Sequence, residues 1–149
     1  MAAKPIPDGF HTVTPCLNVQ GADKLIDFMK QAFDAVEVFR MVRPDGMIGH
    51  AEVKIGDSIM MLGEASGECP PMPGTSYLYV NDADVTYKRA LQAGATSLME
   101  PTDMFWGDRH ACVKDRCGNH WGIATHKEDV SPEELSRRAE TFWKQQPRG

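Results

Sequence analysis

The sequence predicts an α+β fold built from two tandem βαβββ modules followed by a C-terminal helix, and three observations carry that prediction. The first is a near-repeat at an offset of 60 positions, His50-Ala51-Glu52-Val53-Lys54 against His110-Ala111-Cys112-Val113-Lys114. The second is a match at an offset of 61, in which Leu17, Val19, Ala22, Asp23, Gln31 and Ala32 return as Leu78, Val80, Ala83, Asp84, Gln92 and Ala93. Ordinary composition would give about one identity over such a stretch. The third is periodicity: each half has an alternating run, then helical spacing, then three further alternating runs.

At 149 residues the chain suits one domain with a sizeable core. Two halves are too few for a solenoid, which needs at least about three short units. The expected organisation is a single domain over 1–149, with module one at 11–63, a linker at 64–74, module two at 75–126 and a helix at 131–145. A net charge of -5 and a pI near 5.5, with no basic cluster, argue against nucleic-acid binding. No apolar run approaches the roughly eighteen residues of a membrane span, and Met1-Ala2-Ala3-Lys4-Pro5 lacks the apolar centre of a secretory signal, so a cytoplasmic protein without a membrane partner is expected. Cys16, Cys69, Cys112 and Cys117 have neither CxxC spacing nor the density of a disulfide scaffold, which predicts reduced thiols.

Taken in order, Pro5, Pro7 and Gly9 predict an irregular lead-in over 1–10. Residues 11–19 alternate, with Val13, Leu17 and Val19 on one face, and Pro15 suits an edge strand. Leu25, Ile26, Phe28, Met29, Ala32 and Phe33 recur at helical spacing across 21–34. Strands follow at 36–41, 48–55 and 58–62, separated by the turns Pro44-Asp45-Gly46 and Gly56-Asp57. Gly67, Pro70, Pro71, Pro73 and Gly74 mark the linker. Module two repeats the order, with a strand at 75–80, a helix at 83–93 ended by Gly94, and strands at 96–100, 109–114 and 120–125. Ser131-Pro132-Glu133-Glu134 supplies an N-cap, a first-turn proline and a capping-box glutamate for the last helix, with Phe142 and Trp143 as its apolar anchors.

Because strand residues two apart share a face, the two sides of each sheet separate on paper. Val13, Leu17, Val19, Ala51, Val53, Leu78, Val80, Ala111, Val113, Trp121 and Ile123 are expected to pack on the helices. The opposite side then carries Thr12, Thr14, Cys16, Asn18, His50, Glu52, Lys54, Tyr77, Tyr79, His110, Cys112, His120 and Met60. That mixture is either a solvated surface or, given its Tyr, Met, Cys and His content, the lining of a ligand pocket.

The duplicated order, together with Thr12-Val13-Thr14-Pro15, His50-Ala51-Glu52, Phe105-Trp106-Gly107-Asp108-Arg109, Asp115-Arg116-Cys117-Gly118-Asn119-His120-Trp121 and Ile123-Ala124-Thr125-His126, resembles the vicinal oxygen chelate superfamily. It is most similar to the PhnB-like branch of glyoxalase/bleomycin-resistance proteins. The resemblance implies a curved mixed sheet around a central cavity and assembly as a homodimer. In that superfamily a divalent metal is held by His and Glu from the first and last strands of each module. The corresponding positions here fall at about Thr14, Thr75 or Ser76, Met60 and Gly122, none of which is a hard-metal ligand.

His50 and Glu52 share a face and are the candidate catalytic pair, a base with its orienting carboxylate. With His110, placed across the cavity by the pseudo-symmetry, and His120, they could instead hold a divalent metal at a relocated site. Thr14, Tyr77, Trp106, Arg109, His110, Cys112 and His120 are the candidate ligand contacts. Each has a structural alternative: His50 as strand support, His110 as a relic of duplication, His120 as a turn-end residue, Cys112 as a small buried side chain. Asp108 and Arg109 either pair with each other to brace the strand crossing or leave Arg109 free for a carboxylate or phosphonate-like group. The leading expectation is an enzyme of lyase or isomerase type acting on a small polar or aromatic metabolite; the alternative is a protein that sequesters a drug or metabolite.

Overall fold

The structure is a computed structural model that describes residues 2–147. Met1, at the head of the expected lead-in, and Arg148 and Gly149 lie outside the described residues. The first module runs β1 (Cys16–Val19), α1 (Ala22–Phe33), β2 (Val36–Val42), β3 (Ile48–Ile55) and β4 (Ser58–Glu64). The second repeats it as β5 (Thr75–Tyr79), α2 (Ala83–Gln92), β6 (Thr96–Asp103), β7 (Asp108–Lys114) and β8 (His120–His126), and α3 (Pro132–Gln145) follows. Each module forms its own four-stranded mixed sheet, in the orders β1-β4-β3-β2 and β5-β8-β7-β6. The duplication extends to register: Cys16 lies opposite Met61 and Met61 opposite Glu52, just as Tyr77 lies opposite Gly122 and Gly122 opposite Cys112.

The last strand of each module also caps its own helix. Glu64, ending β4, accepts hydrogen bonds from the amides of Gly21 and Ala22 at 2.9 Å each, satisfying donors that open α1. Thr125, its equivalent on β8, accepts from the Ala83 amide at 2.8 Å while donating to the Val80 carbonyl at 2.9 Å. A carboxylate and a hydroxyl thus solve the same problem at matched positions. Ser131 caps α3 as expected, accepting from the Glu134 amide at 3.3 Å with Pro132 in the first turn.

Several elements differ from expectation for local reasons. The first strand begins at Cys16 rather than residue 11, because Pro15 has no amide to donate, and Val13 is 82% exposed instead of packing on the helix. Met60 is buried in the helix-side core, opposite Val53, so the residue it was expected to place on the other face is Met61. β6 continues to Asp103 through Pro101, which an edge strand tolerates with a shift of register between Met99 and Thr102. Of the two anchors expected in α3, Phe142 packs on Phe105 with ring centroids 5.0 Å apart, whereas Trp143 is 68% exposed.

Both helices serve one core. Leu25, Ile26 and Met29 of α1 are fully buried, and Phe33 and Phe28 reach Trp121 of the second module with ring centroids 5.1 and 6.4 Å away. Arg89 of α2 clamps Asp34 through two nitrogens, at 2.8 and 2.6 Å, and donates to the Gln31 carbonyl at the end of α1. The helix-side faces of the two sheets therefore share an apolar layer, and their opposite faces are left open.

Trp121 is held by a buried carboxylate. Asp115 accepts from the Trp121 indole at 2.7 Å, from the amides of Cys117 and Asn119 at 2.8 and 3.1 Å, and from the Asn119 side chain at 3.0 Å. Asn119 in turn accepts from the Gly74 amide at 2.9 Å, tying the start of β5 to the same turn. Asp115→Ala leaves four donors without their acceptor, and a loss of about 3 kcal/mol in unfolding free energy is expected by urea titration followed through tryptophan fluorescence.

Candidate functional site

The open face of the second sheet is organised around Asp108, the first residue of β7 and only 3% exposed. Tyr77 and Tyr79 on β5 sit opposite Gly122 and Ala124 of β8, and β8 separates them from β7. Because those two β8 residues are small, the phenol rings cross the strand and both hydroxyls donate to the same Asp108 oxygen, at 2.8 and 3.0 Å. Gly122 is required here, since a Cβ would stand 2.8 Å from the Tyr77 ring and 3.1 Å from His110 Nε2. The Trp106 indole donates to the same oxygen at 3.1 Å and lies 3.3 Å from the Tyr77 hydroxyl. His126 Nδ1 meets the other Asp108 oxygen at 2.9 Å, and its Nε2 meets Asp129 at 2.8 Å.

These contacts determine the protonation states. Burial works to raise the Asp108 pKa, but the hydrogen bonds from His126, Tyr77, Tyr79 and Trp106 outweigh it and hold the carboxyl below its ordinary range. Tyr77 is pushed up to about 12, first by burial and then by its bond to the ionised Asp108. The His126 pKa is raised by Asp129 and then by Asp108.

His110 stands beside this network without joining it. Its ring lies 4.8 Å from Tyr77 and 5.9 Å from Trp106, and both ring nitrogens are buried with no hydrogen-bond partner. Burial lowers its pKa, so it is neutral at neutral pH, with one N–H and one bare nitrogen. Cys112, half-buried on the same face, has its thiol pushed up by burial, which disfavours the nucleophilic thiolate.

The remaining candidates are placed elsewhere. Arg109 pairs not with Asp108 but with Asp84, at 2.6 and 2.9 Å, and with Asp103 at 3.1 Å, so its guanidinium fork is engaged by two carboxylates. His120 is exposed at the far end of β8, opposite Lys114, about 13 Å along the strand from the level of His110. Thr14 precedes β1 and its hydroxyl reaches only the His11 carbonyl, at 3.5 Å. His50 and Glu52 do meet, at 3.3 Å, on the first sheet, with the Phe39 ring 6.2 Å from the imidazole. Among the described residues no hydrogen bond, ion pair or ring contact joins that pair to His110. Asp108, Tyr79 and His126 are the members that residue-by-residue reading left without a shared role. Strand alternation was the available signal, because 108 shares a face with 110 and 112, and 126 with 120 and 122.

The positions that the family resemblance assigns to a metal do not fit one. Met60 lies in the core, Gly122 is overlaid by Tyr77 and His110, the Thr14 hydroxyl serves its own loop, and Thr75 and Ser76, beside His120 and Trp121, offer only neutral hydroxyls. Among the described residues no three His, Cys, Asp or Glu side chains are grouped to hold an ion, which also applies to the relocated site considered for His50, Glu52, His110 and His120.

Comparison with known proteins agrees with this architecture. Residues 9–123 match the Glyoxalase/Bleomycin resistance protein/Dioxygenase superfamily, and the chain belongs to that family. An uncharacterized protein of Mycobacterium bovis is 36% identical over 137 residues, covering 83% of this chain and 88% of its own. Among solved structures, TnmS3, an antibiotic binding protein from Streptomyces sp. CB03234, aligns with a TM-score of 0.63 at 21% identity, over 84% of this chain and all of its own. The PhnB protein from Bacillus cereus aligns at 0.60 and 16% identity, over 77% and 99% of the two chains. At these identities the structural likeness concerns the fold.

Protonated His126 bridges two carboxylates, so its stabilising contribution is fully present below the ordinary histidine pKa of 6.5 and is lost as pH rises through the raised folded value. His126→Gln should therefore lose melting temperature relative to wild type most at about pH 6 and least at about pH 9, read by paired thermal scans.

Proposed function

We propose that the protein binds and sequesters a small molecule with a planar or aromatic body, seated against Tyr77, Tyr79 and Trp106 of the second module. The observation that carries this reading is His110, whose donor and acceptor are both buried without partners between two aromatic rings. Leaving such groups unpaired costs about 1–3 kcal/mol each, so a partner supplied from outside the chain is favoured at this position. A ligand ring that shifts Trp106 aside, with Tyr77 and Tyr79 kept on Asp108, reaches His110 and supplies the missing partner. The two tyrosines also border a cleft of about 840 Å³ between the modules, whose other walls include Phe33, Met60 and Arg89 and which Trp106 and His110 do not line. TnmS3, described as an antibiotic binding protein, supports the reading by analogy of fold.

Sequestration is favoured over metal-assisted chemistry by the nature of the residues at the expected ligand positions, and over nucleophilic catalysis by the protonated Cys112 thiol. One observation supports a second reading, proton transfer or isomerisation: the contact of His50 with Glu52 places a base beside a carboxylate that can orient it. Assembly as a homodimer accompanies either reading. It is supported by Val36, Phe39 and Met41, exposed on the outermost strand of the first sheet and paired with Lys54, Glu52 and His50 on one face, an apolar stripe that a second copy would cover. Four free cysteines suit the reducing cytoplasm.

Native mass spectrometry of protein purified from cells, with chemical identification of any released molecule, tests these points together. A dimer mass carrying a bound species that is released unchanged, retained in His50→Ala and lost in Trp106→Ala, is the expected result. Release of a chemically altered species whose formation depends on His50 would favour proton transfer instead. Met41→Asp is expected to shift the dimer mass to that of the monomer.

A further inference from the structure

Two phenols that donate to one carboxylate oxygen have lost their choice of role. An ionised carboxylate only accepts, so the Tyr77 and Tyr79 protons must both point at Asp108, over 2.8 and 3.0 Å. Each hydroxyl has one proton, and what it can offer a third group is lone pairs alone. The Trp106 N–H is committed in the same way, to Asp108 at 3.1 Å and towards the Tyr77 oxygen at 3.3 Å. Among the described residues the cation that touches Asp108 is His126, on the carboxylate oxygen that the tyrosines do not use; Arg109 is engaged by Asp84 and Asp103, and Arg89, which borders the same cleft as the tyrosines, is clamped by Asp34. Behind the oxygens the Asp108, His126 and Asp129 cluster keeps a net negative charge whether His126 is protonated or not, because two carboxylates flank one imidazole.

We infer that Asp108 is a specificity-determining positioning residue, which makes the tyrosine pair an acceptor-only surface and selects ligands that present O–H or N–H groups on an aromatic body. Phenols, aromatic amides and aromatic amines are the class that fits. Ethers meet the phenol oxygens with lone pairs against lone pairs, and carboxylates meet them with like charge as well. The bare nitrogen of neutral His110 extends the acceptor set on the same face, and its N–H, beside the weak S–H of Cys112, is a donor that the face retains. This inference rests on the proposed binding function and narrows its ligand. Asp108 acts through the tyrosines and does not touch the ligand itself.

The test uses three bicyclic probes of nearly the same shape on the full-length protein: 2-naphthol, 2-methoxynaphthalene and 2-naphthoate. Affinities come from titrations followed by NMR of the His110 ring and the Tyr77 and Tyr79 phenol carbons. Wild type is expected to bind 2-naphthol about tenfold more tightly than either of the others, the scale of one hydrogen bond gained against an unmatched acceptor. Asp108→Asn keeps the shape but returns freedom to the phenol protons, and should shrink that preference to within about threefold. A carboxylate with a merely structural role would weaken all three probes alike. Tyr79→Phe, at a residue 66% exposed, provides a variant less exposed to folding failure and should weaken 2-naphthol while leaving 2-methoxynaphthalene unchanged. Equal binding of the ether or the naphthoate, with shifts at His110 and both tyrosines, would overturn the donor preference and leave the binding function standing. Absence of any shift at these residues with all three probes would overturn both.

Discussion

Trp121 is where the two modules become one protein. Its indole is buried against Phe28 and Phe33 of the first module and anchored by Asp115 of the second, so each half completes the other's core. Burial of apolar surface is the dominant favourable term in folding, and each helix packs both on its own sheet and on the other helix. Everything else follows from that shared layer. With the helices gathered between them, the sheets turn their other faces outward, and the polar and aromatic residues on those faces are free to meet ligands or another chain.

The two open faces have diverged while their frames have not. Register, strand order and the helix caps from Glu64 and Thr125 are duplicated position by position. The residues between those fixed points have drifted: Cys16 faces Met61 and Glu52 in one module, and Tyr77 faces Gly122 and Cys112 in the other. Gly122 is the decisive difference, because a glycine at the centre of the sheet lets an aromatic ring lie flat where a side chain would stand. From that difference come the reach of Tyr77 to Asp108 and the enclosure of His110. The chemistry is asymmetric, as the mismatch of Glu52 and Cys112 suggests, but its best-built centre lies in the second module.

Backbone constraints account for the places where local reading and structure part. Pro15 shortens the first strand by withholding an amide, and Pro101 survives inside β6 because that strand is at an edge. Met60 exchanges faces with Met61 because the parallel register to β1 sets the pleat, and register is a property of two strands rather than one. Arg109 illustrates the same limit for charge: its neighbour in sequence, Asp108, belongs to another network, and its partners are 25 and 6 residues away.

The sequence by itself determined the duplication, the α+β class, the element order, nearly all of the helix-facing core and the pairing of His50 with Glu52. These are consequences of short periods and of spacing within single strands and helices, which a linear chain displays directly. Only the tertiary structure decided that His50 and His110 belong to separate sheets without contact, that Asp108 gathers Tyr77, Tyr79, Trp106 and His126, and that His110 is left unpaired among them. The reason is physical: a hydrogen-bonded cluster depends on which strands lie side by side and on how little volume the strand between them fills. Neither quantity is written at any one position of the chain.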